Sequence, residues 1–474
     1  MQREAIFDLL KNNFPFEPTS GQEELFHKMA HFLANADHDY LFMLKGYAGT
    51  GKTSFISALV KTLPAVDINF CLLAPTGRAA KVITGYSGSD AFTIHKKIYN
   101  IRTDKKGGMH AVLKDNPHSR MLFIVDEASM ISNQDGDGSS SLFGTRNLLS
   151  DLFEFVERGD RCMLMFVGDT AQLPPVKLTI SPALNAEYIG YELHREVVEH
   201  ELREVVRQKE ASGILLNATA LRILINRHAI HPVLKANGYS DVMLLNGTQL
   251  QDELQTCYSR DTTDDTIVIC RSNKQANRYN QVIRRTILDH HDEINAGDQM
   301  MVLKNNYFWT EEESAIAFIA NGDVIQIKSI SDIEEAYGFR FAHAEVIMVD
   351  YPHHHSISVK LLLDTIYADT PSLSFEGNRL LFNNILQTVK GKTKKSRIEK
   401  VLTNEYFNAL QVKFSYAVTC HKAQGGQWKN VFIDQGWMTD DAYNTEHLRW
   451  LYTAVTRAVD QLYYVNFEER FFKV

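Results

Sequence analysis

Three short segments of this 474-residue chain hold the residue types that handle a triphosphate. GYAGTGKT, Gly46 to Thr53, fits the spacing Gly, four residues, Gly-Lys-Ser/Thr. Glycines at Gly46, Gly49 and Gly51 let the backbone curl until its N–H groups face a β-phosphate, at the positive end of the helix that follows. The nucleotide-binding candidates are therefore Gly46, Tyr47, Ala48, Gly49, Thr50, Gly51, Lys52, Thr53 and the adjoining Ser54. Lys52 is placed to neutralise the β/γ oxygens of ATP, and the Thr53 hydroxyl to ligate Mg²⁺. In IVDEAS, Asp126 at a strand end suits the Mg²⁺ water shell, and Glu127 suits the orientation and deprotonation of an attacking water. FVGDTAQLPPV supplies Gln172, an uncharged group for the γ-phosphate and that water. Charge at the γ-phosphate in the transition state requires a cation from elsewhere. Arg207 in LREVVRQ and Arg457 in YTAVTRA are the candidates, with Arg203 competing with Arg207.

Chemistry of this kind needs strand ends to stand on. Between residues 20 and 170 helices and strands alternate. GQEELFHKMAHFLA sets Leu25, Phe26, Met29, Phe32 and Leu33 on one helical face, and RNLLSDLFEFVERG is a second amphipathic helix. YLFMLKG, INFCLLAP, RMLFIVDE and RCMLMFVGD are apolar runs ending in Gly, Pro or acid, the pattern of buried parallel strands. The expected class is α/β, a doubly wound sheet whose ligands gather at the carboxyl ends of its strands. A second series follows: DTIVICRS, KNVFIDQG and QLYYVNF as strands, NKQANRYNQVIRRTILDHH and DDAYNTEHLRWLYTAVTRA as helices. Residues 328–405 break the alternation and read as a β-rich insert; about 97–118 reads as a smaller insert, and 133–141 as a surface loop. The expected domains are 1–206, then 207–327 with 406–474, with no internal repeat.

With 44% hydrophobic and 23% charged residues the chain can bury more than one core. It has no run of eighteen apolar residues, no signal-peptide pattern at MQREAIFDLLKNNF, and five scattered cysteines without a CxxC pair. These features predict a cytoplasmic protein without a membrane span, disulfide framework or cysteine-held metal. A net charge of −8 argues mildly against nucleic acid, yet binding depends on local charge along a groove.

The ordered set GYAGTGKT, APTGRAAK (74–81), VDEAS, VGDTAQLPPV, LREVVRQ, YAVTCHKAQG (416–425) and YTAVTRA resembles the superfamily 1B DNA helicases, the RecD-like and Dda-like group. The resemblance spans about residues 20–207, 265–330 and 410–460. It implies two RecA-like P-loop NTPase domains with ATP between them, Arg207 at their boundary and Arg457 from the second. It implies adenine reading by Gln22, contact between Gly425 and the nucleotide, and 5′-to-3′ movement by a monomer on single-stranded and tailed duplex DNA, in repair or recombination. By the same likeness, residues 328–405 become an SH3-like domain and the smaller insert a strand-separating pin.

A sequence-neutral track needs hydroxyl donors for phosphates and aromatic faces for bases. Thr76 and Arg78 stand at a strand-to-helix junction; Phe92, Thr93 and His95 match the family's Thr-x-His contact motif; Thr419, His421 and Lys422 end a strand. Ala423 stands where the family commonly has Ser, which puts one hydroxyl contact in doubt. VKGKTKKSRIEK (389–400) reads as a solvated basic loop within reach of a DNA backbone. His353, His354 and His355 lack the spacing of a metal site. Two other functions fit the same motifs: an ATP-gated DNA-binding subunit of a nuclease complex, and a helicase acting on RNA.

Overall fold

The computed structural model describes residues 3–35, 39–103, 109–134, 146–205, 212–306, 308–310, 318–351 and 355–472. Eight strands lie in the first part of the chain: β1 (Tyr40–Gly46), β2 (Asn69–Ala74), β3 (Ala91–Thr93), β4 (Tyr99–Thr103), β5 (Met109–Leu113), β6 (Met121–Val125), β7 (Met163–Gly168) and β8 (Glu196–Leu202). Six of them form a parallel sheet in the order β3-β2-β6-β7-β1-β8. Because successive side chains point to opposite faces, each apolar run serves two cores. Phe42 and Leu44 join Phe26, Phe32 and Phe55 on one side, while Leu41 and Met43 join Phe123, Phe153 and Phe155 on the other. The helix Ser20–Asn35 buries Leu25, Phe26, Met29, Phe32 and Leu33, the face its spacing predicts. This order sets β6, β7 and β1 side by side, so the loops after them, which carry the acid pair, Gln172 and the phosphate loop, converge.

β4 and β5 pair as an antiparallel hairpin, from Tyr99 opposite Leu113 to Thr103 opposite Met109, in the place expected for the smaller insert. The edge strand β8 has no counterpart among the expected strands: EVVEHEL carries three glutamates and pairs on one side only, with β1.

The second part carries β9 (Val242–Leu245), β10 (Thr266–Cys270), β11 (Gln299–Val302), β12 (Val324–Ala336), β13 (Phe339–Met348), β14 (Ile357–Leu362), β15 (Leu410–Phe414), β16 (Ala417–Thr419), β17 (Trp428–Asp434) and β18 (Ala458–Val465). A parallel sheet of order β16-β10-β17-β18-β9 repeats the two-sided packing, with Ile267 and Ile269 in one core and Val268 and Cys270 in the other. The chain thus has two P-loop-type α/β domains. Residues 209–260, unplaced from sequence, supply β9 and the helices Gly213–Asn226 and Gly247–Arg260.

β11 to β15 close into a small barrel, which corrects the extent of the expected insert. Closure draws β11 and β15 from outside residues 328–405, because a barrel needs every edge paired. Within those bounds, two helices, Phe375–Thr388 and Lys394–Leu402, interrupt the β-structure and pack Leu381, Ile385 and Val401 against Phe339, Phe341 and Leu362. The basic run lies on the second of these helices and on the turn before it. Arg207, His353, His354 and residues 135–141 fall outside the described residues. Among the described residues no helix is long and apolar enough to cross a membrane, and all five cysteines are buried and free.

Candidate functional site

The phosphate loop follows β1 and opens the helix Lys52–Thr62. Gly49 (φ 80°) and Gly51 (φ 93°) take left-handed conformations that let the loop turn back on itself. A Cβ at Gly51 would lie 2.5 Å from Gln22 Nε2, so this glycine is required for space as well. Lys52 Nζ donates to the carbonyls of Gly46 (2.7 Å) and Tyr47 (2.9 Å), inside the curl. Gln22 is buried beside it: Nε2 donates to Thr50 O at 3.2 Å and Oε1 accepts from Thr19 N at 3.0 Å. Phe26 and Phe55 stack beneath, with centroids 6.0 Å apart, and anchor the two helices that frame the loop.

At the end of β6, Asp126 accepts from Tyr86 Oη at 2.8 Å and from the Glu127 N–H at 2.8 Å. Burial, then the neighbouring Glu127 charge, pushes its carboxyl up to about 6. Glu127 itself sits at φ 53°, a left-handed turn that swings its side chain away from the strand axis. After β7, Asp169 is buried, which raises its pKa, and accepts from Ala171 N at 2.9 Å. Gln172 is buried too, and its Oε1 has no hydrogen-bond partner.

The second domain closes this site. Arg457 follows the helix Thr445–Val455 and is held by the carbonyls of Thr453 (3.1 Å) and Gly426 (3.2 Å). Its Nη1 stands 3.5 Å from Glu127 Oε1 across the cleft. Together these groups surround a cavity of about 940 Å³ lined by Gln22, Tyr47 to Gly49, Gly51 to Ser54, Asp126, Glu127, Gln172, Gly425 and Arg457. The structure therefore brings together every described nucleotide candidate except Arg203, an exposed residue that pairs with Glu201 outside the cavity; Thr50 and Gly46 complete the same loop. Phe14, Phe16 and Val459 line the same cavity. Phe16 is an exposed aromatic that sequence reasoning missed, since a lone apolar residue in a polar N-terminal stretch carries no pattern. Tyr86, Asp169 and Tyr452 were missed as well.

The site also suits a divalent cation. Asp126 is a carboxylate beside Glu127 whose pKa is raised by burial first and by the Glu127 charge second, and Thr53 shares its cavity. Among the described residues no group of three or more acidic, His or Cys side chains gathers.

The strand-contact candidates gather at matching sheet edges, because β3 and β16 are both edge strands. Thr76 caps the helix Gly77–Ser87, accepting from Ala79 N at 3.2 Å, and Thr93 caps the helix Ile94–Ile98, accepting from Lys96 N at 3.2 Å. Phe92 is half-buried with the Lys96 ammonium 5.5 Å from its ring. Burial lowers His95 to about 4, so its ring is neutral. In the second domain Thr419 precedes the turn Cys420–Ala423; burial lowers His421, and Lys422, which donates to Asn321 Oδ1 at 2.6 Å, falls to about 8. Arg78 lies 4.5 Å over the Trp428 ring, so the first domain's helix touches the second domain directly. Gly425 (φ 74°) completes that approach: a Cβ there would meet Ala79 Cβ at 2.8 Å.

Two P-loop-type domains with a shared nucleotide cleft define a class, and comparison gives the family. Residues 19–233 match the AAA domain family, and residues 414–465 the UvrD-like helicase C-terminal domain. The ATP-dependent DNA helicase dda of Enterobacteria phage T4 is 24% identical over 94% of this chain and 99% of its own. The ATP-dependent RecD2 DNA helicase of Deinococcus radiodurans is 32% identical over 34% of this chain and 19% of its own. A Pif1 helicase from Bacteroides, solved with ADP-AlF3 and ssDNA, aligns at 14% identity over 97% of this chain and 95% of its own, TM-score 0.47. The chain is therefore similar to DNA helicases over most of its length.

Proposed function

We propose that this chain is an ATP-driven DNA helicase that moves 5′-to-3′ along single-stranded DNA and unwinds tailed duplex. The observation that carries the reading is Arg457 of the second domain facing Glu127 of the first, 3.5 Å apart beside the phosphate loop. A nucleotide in that cleft is gripped by both domains: Lys52 and the loop N–H groups from one side, Arg457 from the other. Glu127 takes the proton of the attacking water, Gln172 offers its unpartnered oxygen to that water, and Gln22 with Phe16 receives the base. Thr53 and Asp126 would hold Mg²⁺, which would supply positive charge to the phosphates. Hydrolysis removes the ligand that joins the domains, the cleft relaxes, and the grip of Thr76, Arg78, Phe92, Thr93 and His95 alternates with that of Thr419, His421 and Lys422. The β4–β5 hairpin is the strand-separating element. Because one chain carries both halves of the site, a monomer suffices.

A polarity-resolved unwinding assay tests the reading, with substrates tailed at the 5′ or the 3′ end and the variants Lys52→Ala and Arg457→Ala. The expected result is unwinding from 5′ tails by wild type, with both variants binding DNA and failing to turn over ATP. Unwinding from 3′ tails alone refutes the polarity; ATP-dependent binding without turnover identifies a clamp subunit, and dependence on 2′-hydroxyls an RNA track.

A further inference from the structure

Tyr452 is buried on the helix Thr445–Val455 of the second domain, yet its hydroxyl reaches into the nucleotide site of the first. It accepts from the Ala48 N–H of the phosphate loop at 3.0 Å and donates to Asp169 Oδ2 at 2.5 Å. One phenol oxygen thus joins two loops of the first domain that are far apart in sequence. The same helix and its end make three further connections. Arg449 donates to the carbonyls of Thr170 and, at 3.3 Å, of Gln172; Thr453 Oγ1 accepts from Leu173 N at 2.9 Å; Arg457 meets Glu127. Arg449, Tyr452 and Thr453 share one side of the helix, and Arg457 follows just past its end. Gln424 adds a bond from its Nε2 to Leu173 O at 2.7 Å. The loop from Asp169 to Leu173, which carries Gln172, is therefore positioned by the second domain as well as by its own bonds.

We propose that Tyr452 is a positioning residue for ATP hydrolysis: its hydroxyl fixes the Tyr47–Ala48 peptide and the Asp169 loop in the hydrolytic arrangement only while the two domains are closed. The proposal rests on the ATP-driven motor reading and deepens it. A phenol is suited to the task because one oxygen both accepts from an N–H and donates to a carboxylate, whereas Phe fills the same space with neither bond. Burial and the Asp169 charge push the Tyr452 pKa well above its usual value, so the donor proton stays in place throughout the working pH range. Opening the cleft breaks both bonds at once. Loss of closure then costs the P-loop one anchor and Gln172 its backing, so the rate of the chemical step follows domain position.

The test compares wild type with Tyr452→Phe, Asp169→Asn and the double variant, in ATP turnover with and without single-stranded DNA and in DNA affinity with and without a non-hydrolysable ATP analogue. For Tyr452→Phe the expected result is a kcat about tenfold lower with a KM for ATP within about twofold of wild type. The dependence of DNA affinity on the analogue shrinks in parallel, and the double variant shows less than the sum of the single effects. A residue that merely packs would lower the melting temperature and leave the kcat of the folded protein alone. Wild-type kcat in a folded Tyr452→Phe protein, or additive effects in the double variant, overturns the proposal. A wild-type turnover indifferent to DNA defeats the motor reading instead, and the DNA-free kcat comparison still decides the role of Tyr452.

Discussion

At Gly51 two independent constraints meet, a φ of 93° and a space already filled by the Gln22 amide. Alanine there takes a left-handed conformation that costs about 1–2 kcal/mol and pushes against Gln22, which is tied to Thr19 and Thr50. Gly51→Ala is expected to fold, with a modestly lower melting temperature, and to bind ATP at least about tenfold more weakly by titration calorimetry. Glu127 invites the opposite dissociation. Glu127→Gln keeps the side-chain volume and removes the base and the charge facing Arg457. Single-turnover measurements are expected to show hydrolysis slowed by about a hundredfold or more with ATP binding retained. A slowing below about fivefold would mean that another group handles the water proton. Both residues were legible in the sequence because their roles are local: the glycine belongs to a loop defined by eight consecutive residues, the glutamate to the residue pair that ends a strand. Tyr452 was not legible, since a tyrosine on an apolar helix becomes a contact to Ala48 only when two domains meet.

Elements were readable to the extent that their reason for existing lies within themselves. Helix Ser20–Asn35 and strands β1, β2, β6 and β7 follow from apolar spacing that a neighbour can only reinforce. Strand β8 resisted, because its three glutamates break up the apolar run and its only strand partner is β1. The barrel resisted for another reason: closure recruits β11 and β15 from flanking sequence, and pairing over long separations leaves no periodic trace. The two helices within its bounds have their own apolar stripe, Leu381, Ile385 and Val401, which short β-segments on either side obscured. Helix Lys52–Thr62 ties local order to the site most directly. Phe55 on it is fully buried and stacked on Phe26, so the helix is pinned one turn below the phosphate loop. Phe55→Ala opens a cavity and is expected to lower the unfolding free energy, read from denaturant titration, by about 3–5 kcal/mol. ATP affinity should fall as well, because the loop loses its platform; a variant equally destabilised but with undiminished ATP affinity would show that the loop is held by its own bonds.

The molecule as a whole is held closed by contacts between the first domain and the barrel as well as by the nucleotide cleft. Asp323, in the turn leading into β12, is buried against Gly77, so close that a Cβ on that glycine would meet its Oδ1. Oδ2 accepts from Ala320 N at 2.7 Å, while Oδ1 has no partner. Around it stand Asp350 and Tyr351 from the barrel side and Lys96 from the first domain, with Lys81 3.5 Å from Asp350. Burial, aided by the Asp350 charge and opposed by Ala320 N and Lys96, raises the Asp323 carboxyl from 3.8 to about 7. A raised carboxyl binds its proton more tightly when folded. Its contribution to stability is therefore complete below 3.8, is lost as pH climbs through about 7, and is absent above that. Asp323→Asn keeps the shape and the acceptor for Ala320 N and removes the charge at every pH. Melting temperatures measured from pH 4.5 to 8.5 are expected to show the variant gaining on wild type as pH rises towards 7, then holding a constant lead. Parallel curves would mean that the carboxylate is solvated in the working molecule and that the barrel does not press on Gly77 in solution. A widening lead would mean that alkaline conditions loosen the docking of barrel on ATPase domain, and with it the helix start that Thr76 caps.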